Sequence, residues 1–164
     1  IWEPGQKGTH GGFQTASTLF DLEIKSIKKL SQILQLEIEQ FRSKFKNSSS
    51  TFIKRWPQLN KLTGWYVRML KGGYQDPHIH ASGWLSGVVY LKTIPDPVDG
   101  EGAIEFSLNG SNYKVLKNEY PTMRYEPVTG DLILFPSSLY HRTIPYKQET
   151  ERCIIAFDLT PLES

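Results

Sequence analysis

WLSGVVYLKTIPDPVDGEGAIEFSLNG, residues 84–110, carries the pattern that decides the fold. Two runs rich in β-branched and aromatic residues, WLSGVVYLK (84–92) and AIEFSL (103–108), are separated by DPVDG and closed by LNG. Gly, Pro, Asn and Asp in such clusters set turns, so the runs read as strands. The same pattern recurs outward: WYVRML (65–70), NYKVL (112–116), TMRYEPV (122–128), DLILFP (131–136) and RCIIAFDL (152–159). Many short strands at close spacing predict a sandwich, barrel or jelly roll. Ahead of them, Ile27, Leu30, Leu34, Ile38, Phe41 and Phe45 recur every three or four residues and predict one amphipathic helix over about 26–45. Ser26 reads as its N-cap and KNSSS (46–50) as its end. Residues 1–18, rich in Gly, Gln, Thr and Ser, read as irregular. The expected class is α+β: a helical part over 1–63 packed on a β core over 64–164, in one domain spanning 1–164.

The length of 164 residues suffices for a sizeable core. A net charge of +2 without a Lys/Arg run argues against a nucleic-acid or acidic-membrane partner. No apolar stretch is as long as a membrane span. One cysteine, Cys153, excludes an internal disulfide and fits a reducing, cytoplasmic setting. The first residue is Ile1, which fits a processed form or a domain of a larger, multidomain protein.

The chain has four histidines, and two of them sit in DPHIHASGW (76–84). In an extended backbone, His78 and His80 point to one face, a two-point grip for a metal suited to imidazole. His141 follows the strand DLILFP and the turn PSSLY, where a jelly roll can bring it opposite the pair. Arg152 opens the apolar run RCIIAFDL, so its charge must meet a partner or a cavity. Its planar fork suits a carboxylate. Ser137, Ser138 and Tyr140 precede His141 and serve either as turn residues or as partners of a metal ligand. Trp84 reads as core, and Ser86 and Gly87 as close-packing residues. No G-x-S-x-G elbow or phosphate loop is present.

In order and spacing, H-x-H, SGVVYL, EGAIEF, GDLILFPSSLYHRTIP and RCIIAFDL resemble the Fe(II)- and 2-oxoglutarate-dependent oxygenases. The resemblance is to the prolyl-4-hydroxylase-like branch, and most closely to a subgroup with H-x-H followed by L-S-G-x-x-Y. It covers about the last hundred residues. It implies a distorted double-stranded β-helix, the cupin-like jelly roll, and a hydroxylase of undetermined substrate that uses Fe(II), 2-oxoglutarate and O₂. His78 and His141 match iron ligands. Arg152 and Tyr90 match residues that hold the distal carboxylate of 2-oxoglutarate. His80 stands where the family usually has aspartate. Either His80 is the third ligand, or Asp76 or Glu105 supplies a carboxylate, or two histidines hold the iron. Two alternatives follow from that departure: a three-His cupin-type dioxygenase that does not use 2-oxoglutarate, and a non-catalytic domain that binds a ligand or partner in the same cavity.

Overall fold

The computed structural model describes residues 8–110, 113–114 and 120–162. Along the chain run β1 (Thr9–Gln14), a short 3₁₀ turn (Leu19–Asp21), α1 (Lys25–Lys44), α2 (Thr51–Lys54) and β2 (Asn60–His78). They are followed by β3 (Leu85–Lys92), β4 (Ile104–Ser107), β5 (Thr122–Tyr125), β6 (Leu132–Pro136), β7 (Tyr140–Thr143) and β8 (Arg152–Pro161). The strands form one antiparallel sheet in the order β5-β4-β7-β2-β8-β3-β6, with β1 added on β2.

The sheet curls over on itself. Strands β4 and β6 lie far apart in that order, yet the rings of Phe106 and Phe135 are 5.0 Å apart and share a core with Val67, Val88 and Ile154. This is the double-stranded β-helix. Strand alternation explains how it is filled. On β8, Ile154 and Ala156 face the inside of the curl, whereas Phe157 and Leu159 face outward to the helices. Because both faces of β8 are covered, Arg152 through Leu159 are all buried. Leu34 and Ile38 of α1 meet Trp56, Leu85, Phe157 and Leu159 on the outer face. Leu30 and Phe41 flank them, so the predicted helical stripe does pack on the barrel.

Gly87 marks the tightest point of that packing. A Cβ there would lie 2.1 Å from Cζ of Phe157. Gly87→Ala is therefore expected to cost about 1–3 kcal/mol through overpacking. A thermal melt should read this as a drop of several degrees.

Four local expectations are corrected. Residues 9–14 are not irregular: they pair antiparallel with β2, from Thr9↔Gln75 to Gln14↔Val67. That segment lacks hydrophobic alternation because its glycines meet the neighbouring backbone; a Cβ on Gly12 would lie 2.9 Å from the Arg68 carbonyl oxygen. The helix starts at Lys25, with Ile24 at the N-cap and no side-chain cap, so Ser26 lies inside it. WYVRML belongs to a strand of 19 residues. YHRT, read as following a turn, is strand β7. The strand expected over 112–116 lies outside the described residues except Tyr113 and Lys114, which are in no strand.

Candidate active site

Strand pairing brings the histidines together. His78, the last residue of β2, stands directly opposite His141 of β7 in the antiparallel register. Their ring centroids are 4.3 Å apart. His80 lies just past β2, fixed by a backbone bond from its N–H to the Ser137 carbonyl at 3.0 Å. Its ring is 5.3 Å from that of His78 and 5.0 Å from that of His141. One ligand atom from each of the three lies within 4.8 Å of the others.

The second nitrogen of each ring is tied to an oxygen. His78 Nδ1 is 2.7 Å from the Asp76 carbonyl, and His141 Nδ1 is 3.0 Å from the Leu139 carbonyl. His80 Nδ1 is 2.7 Å from Oδ1 of Asp158. Carbonyls and carboxylates only accept, so each Nδ1 carries the proton and donates it. Each Nε2 is left with a lone pair, the tautomer that a metal needs.

Electrostatics favour the same state. Burial pushes the His141 imidazole down to about 3, with help from neighbouring His78. Burial also lowers His78, opposed by its bond to the Asp76 carbonyl. A buried neutral histidine stabilises the fold above the unfolded value of 6.5, and that stability drains away as pH falls toward 3. Metal-free protein should thus lose denaturant resistance steadily below about pH 6.5. His141→Gln should remove part of that acid sensitivity in urea titrations at pH 7.5 and pH 5.

The carboxylates weighed from the sequence go elsewhere. Asp76 pairs with His10 at 2.7 Å, and Glu105 accepts from Arg124 and Arg142. Neither belongs to the histidine group. Asp158 is the acidic residue at the site. Its carboxylate Oδ1 also accepts from the Ser86 hydroxyl at 2.6 Å, and Ser86 and Ser137 are 2.8 Å apart. Ser86 is fully buried and hydrogen-bonds as well as packs, and Ser137, not the exposed Ser138, joins the site. Trp84 is core, stacked on Phe52 at 5.7 Å.

Behind the histidines lies a tight cavity of about 20 Å³ walled by Trp65, Val88, Tyr90, Ile104, Arg152 and Ile154. Arg152 is 2% exposed and donates Nε–H to the Gly102 carbonyl at 3.2 Å. Its Nη1 and the hydroxyl of Tyr90 are buried without a hydrogen-bond partner. Such orphaned donors are costly unless something completes them. The guanidinium sits over the Tyr90 ring, 5.1 Å from its centroid. Burial pushes the Tyr90 phenol up, which keeps it a donor despite the nearby positive charge. In front of the histidines, a more open groove of about 460 Å³ runs past Thr9, Gln14, Thr63, Trp65 and Thr160.

A family model described as "Putative 2OG-Fe(II) oxygenase" matches residues 63–158, more than half of the chain. The chain belongs to the 2OG-Fe(II) oxygenase family. Solved structures agree on the fold. A Pseudomonas putida prolyl-4-hydroxylase is 14% identical over 98% of this chain and 78% of its own, with a TM-score of 0.62. A Trichoplax adhaerens prolyl hydroxylase, solved with a hypoxia inducible factor peptide fragment, is 17% identical over 94% of this chain and 64% of its own, with a TM-score of 0.64. HygX from Streptomyces hygroscopicus, solved with nickel and 2-oxoglutarate, is 18% identical over 63% of this chain and 57% of its own, with a TM-score of 0.50. The oxygenase chain thus spans less than two thirds of the latter two proteins. No curated protein matches it in sequence.

The cofactors of this oxygenase are Fe(II) and 2-oxoglutarate. The residues present fit both. Three imidazoles with fixed lone pairs suit a divalent cation, and two orphaned buried donors suit a carboxylate. Among the described residues, no helix is long and apolar enough to cross a membrane.

Proposed function

We propose that this domain is a hydroxylase in which His78, His80 and His141 hold Fe(II) through Nε2, and Arg152 with Tyr90 anchors the distal carboxylate of 2-oxoglutarate. The observation that carries the reading is the pair of unpartnered buried donors, Arg152 Nη1 and Tyr90 Oη, in the same cavity as the three histidines. Bound iron and 2-oxoglutarate would supply the oxidising power for substrate hydroxylation, with O₂ as co-substrate.

The chain's own part is positioning and exclusion. Arg152 and Tyr90 hold one end of the 2-oxo acid, so its other end is presented to the histidines. Val88, Ile104 and Ile154 exclude water around its middle. The groove past Thr9, Gln14, Thr63 and Thr160 receives the primary substrate, on the side of His78 and His80 away from Arg152. Its lining of hydroxyl and amide groups suits a substrate rich in hydrogen-bonding groups.

The test is an anaerobic titration of metal-free protein with Fe(II) and then 2-oxoglutarate. The weak visible charge-transfer band of a chelated 2-oxo acid is expected. Bound iron without that band would reject 2-oxoglutarate chelation and favour a three-His dioxygenase. Absence of iron binding would reject the metal centre.

A further inference from the structure

Position 80 lacks the aspartate that the family usually places there, yet a carboxylate stands one hydrogen bond behind it. Asp158 is 6% exposed and directly follows the apolar run Cys153–Phe157 of β8. A carboxylate buried there is costly unless its oxygens are used. Its Oδ1 takes the Nδ1 proton of His80 at 2.7 Å and the Ser86 hydroxyl proton at 2.6 Å, and the Ser86 oxygen also lies 3.1 Å from His80 Nδ1, where it shares that proton. Ser86 has a single proton, so with that proton on Asp158 its contact with Ser137 at 2.8 Å is filled by the Ser137 hydroxyl donating to Ser86. The result is a network in which buried Ser137, Ser86 and Asp158 back the half-buried His80, whose Nε2 is left free.

The surroundings are shaped for this chain. Ser86 and Ser137 are fully buried. Gly83 leaves room for it: a Cβ there would lie 2.5 Å from Oγ of Ser137 and 3.2 Å from Cγ of Asp158.

We propose that Asp158 is a positioning residue that returns to this metal site the negative charge missing at position 80. It acts through the His80 imidazole, and Ser86 sets how strongly. Three neutral imidazoles alone leave Fe(II) one unit more positive than two imidazoles and a carboxylate do. Asp158 restores that balance without occupying a coordination position. A carboxylate accepting the far N–H of a metal-bound imidazole orients the ring and makes its other nitrogen more basic. Ser86 draws on the same oxygen, so its hydrogen bond moderates the effect. This inference rests on the reading of His80 as an iron ligand.

The experiment measures Fe(II) affinity, by anaerobic competition with a chelator, and the midpoint potential of the bound iron. It compares the unaltered protein with Asp158→Asn, Ser86→Ala and His80→Ala. Asp158→Asn keeps the shape and removes the charge. It is expected to weaken Fe(II) binding about 10- to 100-fold and to raise the potential. Ser86→Ala frees Oδ1 for His80 alone and is expected to lower the potential. A merely structural role would not move the potential in opposite directions. An unshifted potential in Ser86→Ala, or unchanged affinity and potential in Asp158→Asn, overturns the proposal. Should Asp158→Asn fail to fold, the direction in Ser86→Ala decides: loss of the Ser86 oxygen beside His80 Nδ1 would by itself raise the potential, so only a fuller bond to Asp158 lowers it. Unchanged iron affinity in His80→Ala refutes instead the assignment of His80 as a ligand, a separate result.

Discussion

Replacing Arg152 with alanine is expected to raise the 2-oxoglutarate concentration needed for turnover by roughly 30-fold or more, with Fe(II) affinity nearly unchanged. The guanidinium is almost wholly buried, and its Nη1 has no partner in the protein. Charge-assisted bonds from such a group to a carboxylate are short and strong. Truncating one side of a buried hydrogen-bonded charge pair costs about 2–5 kcal/mol, and each 1.4 kcal/mol is about a tenfold change in affinity. Tyr90→Phe removes one neutral donor and keeps the ring under Arg152, so only a several-fold rise is expected, from about 1 kcal/mol. The measurement is KM for 2-oxoglutarate at saturating iron, alongside direct binding to the Fe(II) protein. Equal KM values for the unaltered protein and Arg152→Ala would remove Arg152 from the cofactor site.

Alanine at His78 or His141 is expected to have the larger effect, abolishing turnover and iron binding together. These two rings stand opposite each other on paired strands, so losing either cuts the group from three ligands to two. Loss of a direct ligand should exceed the roughly 10- to 100-fold penalty of losing a group behind one. Equilibrium binding of Fe(II), or of Co(II) as an air-stable probe, checks this. Circular dichroism and thermal melts separate the effect from unfolding: His141 is buried and neutral, so His141→Ala also leaves a small cavity beside Phe106 and Phe135. Iron affinity near that of the unaltered protein in either variant would be incompatible with the site as drawn.

The β core and its helix were legible because their signals are periodic. Alternation marks strands, and the three-four spacing of Leu30, Leu34, Ile38 and Phe41 marks α1. Period-two geometry also pairs His78 with His80, and the rings do stand together. Strand β1 was hidden because its recognition by β2 runs through backbone and glycine contacts, which leave no hydrophobic pattern. Strand β7, YHRT, was hidden because it directly follows a turn and carries no aliphatic residue. Asp158 was within reach yet missed. It lies an even number of positions after Arg152 on one strand, so both must face the inside of the curl. An acidic residue in an apolar run is itself a sign of a buried partner. What alternation cannot supply is register, and only the pairing of β3 with β8 places Ser86 opposite Asp158.

The pairing of β2 with β8 also sets the order in which the site can be born. Trp65 pairs with Ala156 and Met69 with Arg152, partners separated by most of the β domain in sequence. Contacts of that separation form late, because the loop between them must close first. His78 and His141 are made before β8, but Arg152 and Asp158 arrive only with it. A chain halted short of residue 152 carries His78, His80 and His141 but neither Arg152 nor Asp158. The anchor for 2-oxoglutarate is therefore complete only once β8 has docked between β2 and β3.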